Sequence, residues 1–222
     1  MKKIFFILTV ITIVFSLAAC GGSGSGSDIS SSESSAAHSE TAASQEGTEA
    51  DGSFSRPEAS GNEDGILVAY FSRSGNTRQM AEIIARETGA DLFEIAAAEP
   101  YTDDYNTLLN VARQEQEYEA RPKLDARVEN WDSYDTIFVG YPNWWSDAPM
   151  AVYTFLESYD FTGKTLIPFN TSAGGGFGRS LAGIEESADG AEMLEGLDLT
   201  EGELDDAQNR VTGWLESLGL NG

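Results

Sequence analysis

Six consecutive residues, Ser72-Arg73-Ser74-Gly75-Asn76-Thr77, gather three hydroxyls, a glycine and an asparagine between an apolar run and a stretch of helical spacing. Free backbone N–H groups and the helix dipole at such a junction favour an anion. The hydroxyls can donate to phosphate oxygens, and Gly75 permits a tight loop. Asn76 or Thr77 could serve as a plain helix cap, but a cap needs one such residue and four polar ones are present. The lysine of a Walker A loop is missing, which argues against nucleoside triphosphate hydrolysis; a phosphate monoester suits the loop better. Two later segments share this mixture of small, polar and aromatic residues. They are Gly140-Tyr141-Pro142-Asn143-Trp144-Trp145 and Phe169-Asn170-Thr171-Ser172-Ala173-Gly174-Gly175-Gly176-Phe177-Gly178.

The elements around these segments follow from periodicity. Ile66 to Phe71 is a continuous apolar run, as expected of a strand buried on both faces. Met80, Ile83 and Ile84 then recur at helical spacing. Leu92 to Ala96, Thr136 to Gly140 and Thr165 to Phe169 read as further strands, and 191–195 as a short fifth. Tyr105, Leu108, Leu109 and Ala112 line one face of a second helix. Val152, Phe155, Leu156 and Tyr159 stripe a third. A weaker helix is expected over 179–188, and Leu204, Ala207, Val211, Leu215 and Leu218 stripe the last. Strands alternating with helices predict a doubly wound α/β domain with a five-stranded parallel sheet, helices on both faces and the order 2-1-3-4-5. Pro168 is awkward inside a central strand and is expected near its carboxyl end. Ligands in such sheets bind beyond the carboxyl ends of the strands where the order reverses, which selects the loops after the first, third and fourth strands.

The first of these loops resembles the FMN-phosphate loop of flavodoxins, whose pattern is Ser/Thr-x-Ser/Thr-Gly-Asn-Thr. The similarity continues through the other two segments and covers roughly residues 65 to 220. It implies noncovalent FMN. Ser72, Ser74, Gly75, Asn76 and Thr77, with Arg73 in the same loop, would hold the phosphate. Tyr141, Pro142, Asn143, Trp144 and Trp145, and Thr171, Ser172, Ala173, Gly174, Gly175 and Phe177, would surround the isoalloxazine ring. Trp144 and Trp145 are candidates to cover one ring face and Phe177 the other. Core packing is the alternative for the tryptophans, but Pro142 and Asp147-Ala148-Pro149 mark a loop. Gly174 to Gly178 could serve close backbone approach or flexibility alike. The tyrosine that many flavodoxins stack from the fourth-strand loop is not found in Thr171-Ser172-Ala173. Thr88-Gly89-Ala90-Asp91 weakly resembles sites of covalent flavin attachment, but a helix-ending turn explains it better.

Residues 1–19 combine Lys2 and Lys3 with an apolar run from Ile4 to Leu17 and the exit Leu17-Ala18-Ala19-Cys20, matching a lipoprotein signal peptide. Cys20 is the expected lipidation site, and acyl chains there would anchor the protein on the outer face of a bacterial membrane. Residues 20–64 read as the lipidated cysteine and a disordered tether rich in Gly, Ser and Glu, and 65–222 as the folded domain. The net charge of −24 repels nucleic acid and favours a basic partner. Cys20 and His38 are the sole cysteine and histidine. The folded part therefore excludes thiol chemistry, Ser-His-Asp triads and histidine metal sites. A phosphorylated receiver domain needs an acidic residue where the third strand ends in Gly140-Tyr141. Chemistry is left to a bound cofactor. The resemblance implies electron transfer to a redox partner protein or small-molecule acceptor. An FMN-dependent NAD(P)H or quinone reductase is the alternative, and a surface binding module with a vestigial site is a third reading.

Overall fold

The computed structural model describes residues 65–220, and the expectations for the signal peptide, Cys20, His38 and the tether lie outside them. Within the described residues the chain runs β1 (Ile66–Tyr70), α1 (Asn76–Thr88), β2 (Asp91–Glu94), α2 (Tyr105–Glu117), β3 (Thr136–Pro142), α3 (Met150–Leu156) and β4 (Thr165–Ser172). It continues through α4 (Ser180–Ser187), β5 (Glu192–Met193), β6 (Leu197–Thr200), a 3-10 turn at Glu201–Asp206 and α5 (Ala207–Leu218). All strand pairs are parallel, in the order β2-β1-β3-β4-β5, with β6 also on β4. Alternate side chains of each strand point to opposite faces, so two cores form. Leu67, Ile137 and Leu166 pack with Trp131, Val152, Phe155 and Ile184 on one face. Val68, Phe138, Ile167 and Phe169 pack with Met80, Ile84, Val211 and Leu215 on the other.

The expected order of strands is present, but the fifth position is shared by two short strands. The reason lies in Pro168. It stands in the middle of β4, paired with Val139 of β3, and not near the carboxyl end of its strand. Proline has no N–H to give to a neighbour. The edge is broken opposite it: β5 pairs with Thr165 and Leu166, and β6 resumes at Phe169. Gly196 fills the gap, and a Cβ there would lie 2.6 Å from the Pro168 carbonyl oxygen. Other differences are smaller. Strand β3 extends two residues past Gly140. Helix α3 stops at Leu156, and Tyr159 beyond it stacks on Trp131 at 4.3 Å. Thr88-Gly89 ends α1 with Gly89 in the left-handed conformation, as a helix-ending turn requires.

Candidate functional site

A cavity of about 520 Å³ opens at the carboxyl ends of β1, β3 and β4. Its polar lining is Ser74, Asn76, Asn143, Thr171, Ser172 and Glu201. Its apolar lining is Pro142, Trp144 and Trp145, together with Tyr105, Leu108, Leu109 and Ala112 of α2. A larger cavity of about 680 Å³ is lined by Asp147, Tyr153, Arg121, Glu157 and Arg179 among others. Its two guanidinium groups are already paired, Arg121 with Glu157 and Arg179 with Asp147, each at 2.6 Å. It lies off the switch point of the sheet, and the smaller cleft is the candidate site.

The loop after β1 caps its helix end only in part. Gly75 precedes α1 with φ 93° and brings no side chain to cap it, so only the Arg78 N–H of the first turn meets a loop hydroxyl. Neither Asn76 nor Thr77 serves as the cap; of the loop's hydroxyls it is Ser72 that turns to the helix end. Ser74 and Asn76 line the cleft, while Ser72 Oγ accepts from the Arg78 N–H at 3.3 Å. Thr77 is buried, and its hydroxyl meets that of Thr171 at 2.9 Å, locking the loop to the end of β4. Arg73 does not line the cleft. Its guanidinium donates to the Asp103 carbonyl at 2.7 Å and ties this loop to the segment before α2.

The segment after β3 makes a two-residue hairpin. Trp144 and Asp147 exchange backbone hydrogen bonds of 2.8 and 3.1 Å, and Trp145 and Ser146 between them have φ of 52° and 62°. Two successive positive φ values define a type I′ turn, a conformation that costs non-glycine residues of order 1 kcal/mol or more each. Several bonds hold it in place. Asn143 Oδ1 accepts from the Ser146 N–H at 2.9 Å, and the Arg179 N–H donates to the Ser146 carbonyl at 2.9 Å. The Asp147 carboxylate accepts from the Tyr153 hydroxyl at 2.5 Å and from Arg179 Nε at 2.6 Å. Trp144 packs edge-on against Phe71 and Tyr101, each at 5.3 Å, so it belongs to the core margin and to the cleft at once. Trp145 is 46% exposed; its indole N–H donates to the Leu109 carbonyl at 3.0 Å, with Arg113 5.5 Å above the ring.

The segment after β4 contributes Thr171, Ser172 and Ala173 to the lining. Gly174 and Gly175 form the turn beyond them and do not line the cleft. Asn143 joins this segment to the hairpin, its Nδ2 donating to the Gly176 carbonyl at 2.5 Å. Three aromatic residues of the motifs, Tyr141, Phe169 and Phe177, do not reach the cleft. Tyr141 is fully buried and bonds Ser180 Oγ at 2.9 Å. Phe177 packs on Tyr141 and over Gly196, where a Cβ would meet its ring at 2.7 Å. Sequence reasoning missed Glu201, because nothing in its neighbours shows that the turn after β6 folds back to the cleft. The face of α2 was visible as an apolar stripe but not as a cleft wall. Beneath the site, neither amide atom of the buried Asn170 nor Oδ1 of Asp198 has a hydrogen-bond partner. Burial raises the Asp198 carboxyl above its ordinary range, and the Ser172 hydroxyl acts against that rise.

Among the described residues no cluster of His, Cys, Asp or Glu could hold a metal ion, and no helix is long and apolar enough to cross a membrane. The cleft combines a helix N-terminus and hydroxyl donors with broad aromatic and aliphatic surface. That donor set suits a phosphate monoester carried by a flat, largely apolar ring.

Sheet order and site together define a flavodoxin-like domain. The flavodoxin family model matches residues 65–218, and the chain belongs to that family. A candidate flavoprotein from Bacteroides eggerthii is 35% identical over 69% of this chain and 97% of its own, with a TM-score of 0.62. Another, from Bacteroides uniformis, is 31% identical over 68% and 97%, with a TM-score of 0.60. A flavoprotein from Lactobacillus acidophilus, crystallised in complex with FMN, is 25% identical over 64% and 97%, with a TM-score of 0.53. Comparison with curated proteins gave no match.

Proposed function

We propose that the protein binds FMN noncovalently and transfers electrons at the outer face of the bacterial cell membrane, held there by lipid on Cys20. The hydroxyl-rich α1 N-terminus, with Ser74 and Asn76 in the cleft beside the Trp144–Asp147 hairpin, carries the reading of the site. The FMN-bound Lactobacillus acidophilus relative supports it. Ser74, Asn76 and the Thr77–Thr171 pair would take the phosphate, and Trp144, Trp145 and the α2 face would border the ring. FMN, when bound, supplies the redox chemistry; the chain orients it and sets the field around it. The partner is a redox protein with a basic docking face, or a small-molecule acceptor.

A second reading on the same fold, an FMN-dependent NAD(P)H or quinone reductase, draws on α2. Tyr105 is 63% exposed at the cleft, a surface on which a flat apolar acceptor could rest. The purified protein should show a flavin absorbance spectrum after incubation with FMN and desalting; a colourless product refutes the cofactor assignment. Stopped-flow mixing with NADH or NADPH separates the two readings, since a carrier is reduced slowly or not at all. For location, cells should incorporate labelled fatty acid into the wild-type chain and not into Cys20→Ala. Absence of label in the wild type refutes the anchor.

A further inference from the structure

The turn after β4 is organised round one hydroxyl. Ser172 Oγ accepts from the Gly174 N–H at 3.1 Å and from the Gly176 N–H at 3.2 Å. Both of its acceptor sites are then used, and its single proton must go elsewhere. It goes to Asp198 Oδ2, at 3.2 Å. Asp198 sits on β6 opposite Asn170, with Ser172 two residues further along β4, so the two side chains share one face of the sheet. A serine hydroxyl alone rotates freely. With a carboxylate to donate to, this one is fixed as the acceptor that closes the 172–176 turn.

The chain of contacts does not stop there. The Gly176 carbonyl accepts from Asn143 Nδ2, and Asn143 Oδ1 accepts from the Ser146 N–H inside the tryptophan hairpin. Both loops that border the ring therefore hang on one series of bonds that begins at an edge-strand carboxylate. Asp198 itself does not line the cleft.

We propose that Asp198 is a positioning residue for the flavin, acting through Ser172 to hold the 172–176 turn and, through Asn143, the Trp144–Asp147 hairpin. This rests on the FMN reading above. The expected effects follow from which variants can still accept the Ser172 proton. Asp198→Asn keeps an acceptor oxygen; Asp198→Ala does not.

The test uses the full chain and three measurements: FMN affinity by fluorescence quenching, the visible circular dichroism of bound FMN, and amide exchange of Gly174 and Gly176 in flavin-free protein. Asp198→Ala should weaken FMN about tenfold, alter the dichroism and speed exchange at both glycines. Asp198→Asn should restore all three to near wild type. Ser172→Ala should match Asp198→Ala, and the double variant should lose no more than either single, because linked residues are not additive. Additive losses, or a fall in melting temperature with affinity and dichroism unchanged, overturn the proposal. If the wild type binds no FMN, the functional reading falls and this inference with it. If the wild type binds and Asp198→Ala loses nothing, this inference falls alone.

Discussion

Thr77 and Thr171 lie 94 residues apart and share one buried hydrogen bond. Two hydroxyls carry two protons, and the bond between them uses one. The other would be left for a phosphate oxygen. Ser74, in the cleft lining, adds a further donor. Hydrogen bonds to charged groups contribute roughly 1.5–3 kcal/mol each, so Ser74→Ala with Thr77→Ala should lower FMN affinity by more than about tenfold. Riboflavin has no phosphate and should lose little. Titration of both ligands decides it: equal losses would mean that the phosphate is elsewhere. Gly140 makes a steric demand of another kind. A Cβ there would lie 2.0 Å from the Phe169 ring, which is fully buried. Gly140→Ala should destabilise the fold by about 1–3 kcal/mol, and Phe169→Leu added to it should recover part of that loss. Denaturant melts of the single and double variants measure this, and a neutral Gly140→Ala would contradict the close approach.

The start of the last helical segment shows how one element carries a pH dependence. Thr200 and Glu203 form a capping box: Glu203 Oε2 accepts from the Thr200 N–H at 2.9 Å and from its hydroxyl at 2.8 Å, and Arg210 holds Oε1 at 2.6 Å. The bonds from Thr200 first, and Arg210 after them, bring the Glu203 carboxyl down to about 2. An unfolded chain would titrate it near 4.3. The stabilisation is therefore complete above about pH 4.3 and disappears as pH falls through about 2. Glu203→Gln should lower the urea midpoint at pH 7, and the gap should close as pH approaches 2. A gap independent of pH would show that the charge plays no part. The box is written in Thr200-Glu201-Gly202-Glu203, directly ahead of the apolar stripe of the last helix. Other elements were legible because their cause is local. The Ser72–Thr77 loop had to be small and polar for a helix to begin there from a glycine with positive φ. The break between β5 and β6 was not legible, because it answers Pro168 on a neighbouring strand. The place of Phe177 away from the cleft was not legible for the same reason: its position depends on the room that Gly196 leaves beside Pro168. Asp198 becomes meaningful only when the β4–β6 register sets it beside Ser172.

At the scale of the whole molecule the dominant quantity is charge. Residues 65–222 hold 28 Asp and Glu against 10 Lys and Arg, a formal −18. Full reduction of FMN can place a negative charge on the ring, and a negative field opposes it. Aromatic and aliphatic side chains in place of water also solvate that charge less well. Bound FMN is therefore expected to have a lower potential at its final reduction step than free FMN. Two parts of the shift differ in their response to salt. Surface charges act through solvent with a Debye length of about 8 Å at physiological ionic strength, so their part should shrink as salt rises. The part due to Trp144, Trp145, the α2 face and Glu201 should change less, since these groups line the cleft in which FMN would lie. The same acidic surface should speed association with a basic redox partner at low salt and lose that advantage at high salt. Potentiometric titration of the FMN-loaded protein at low and high ionic strength checks the first expectation. A final-step potential at or above that of free FMN would overturn the electrostatic argument while leaving flavin binding intact. A depressed potential that salt did not move would assign the whole effect to the groups lining the cleft.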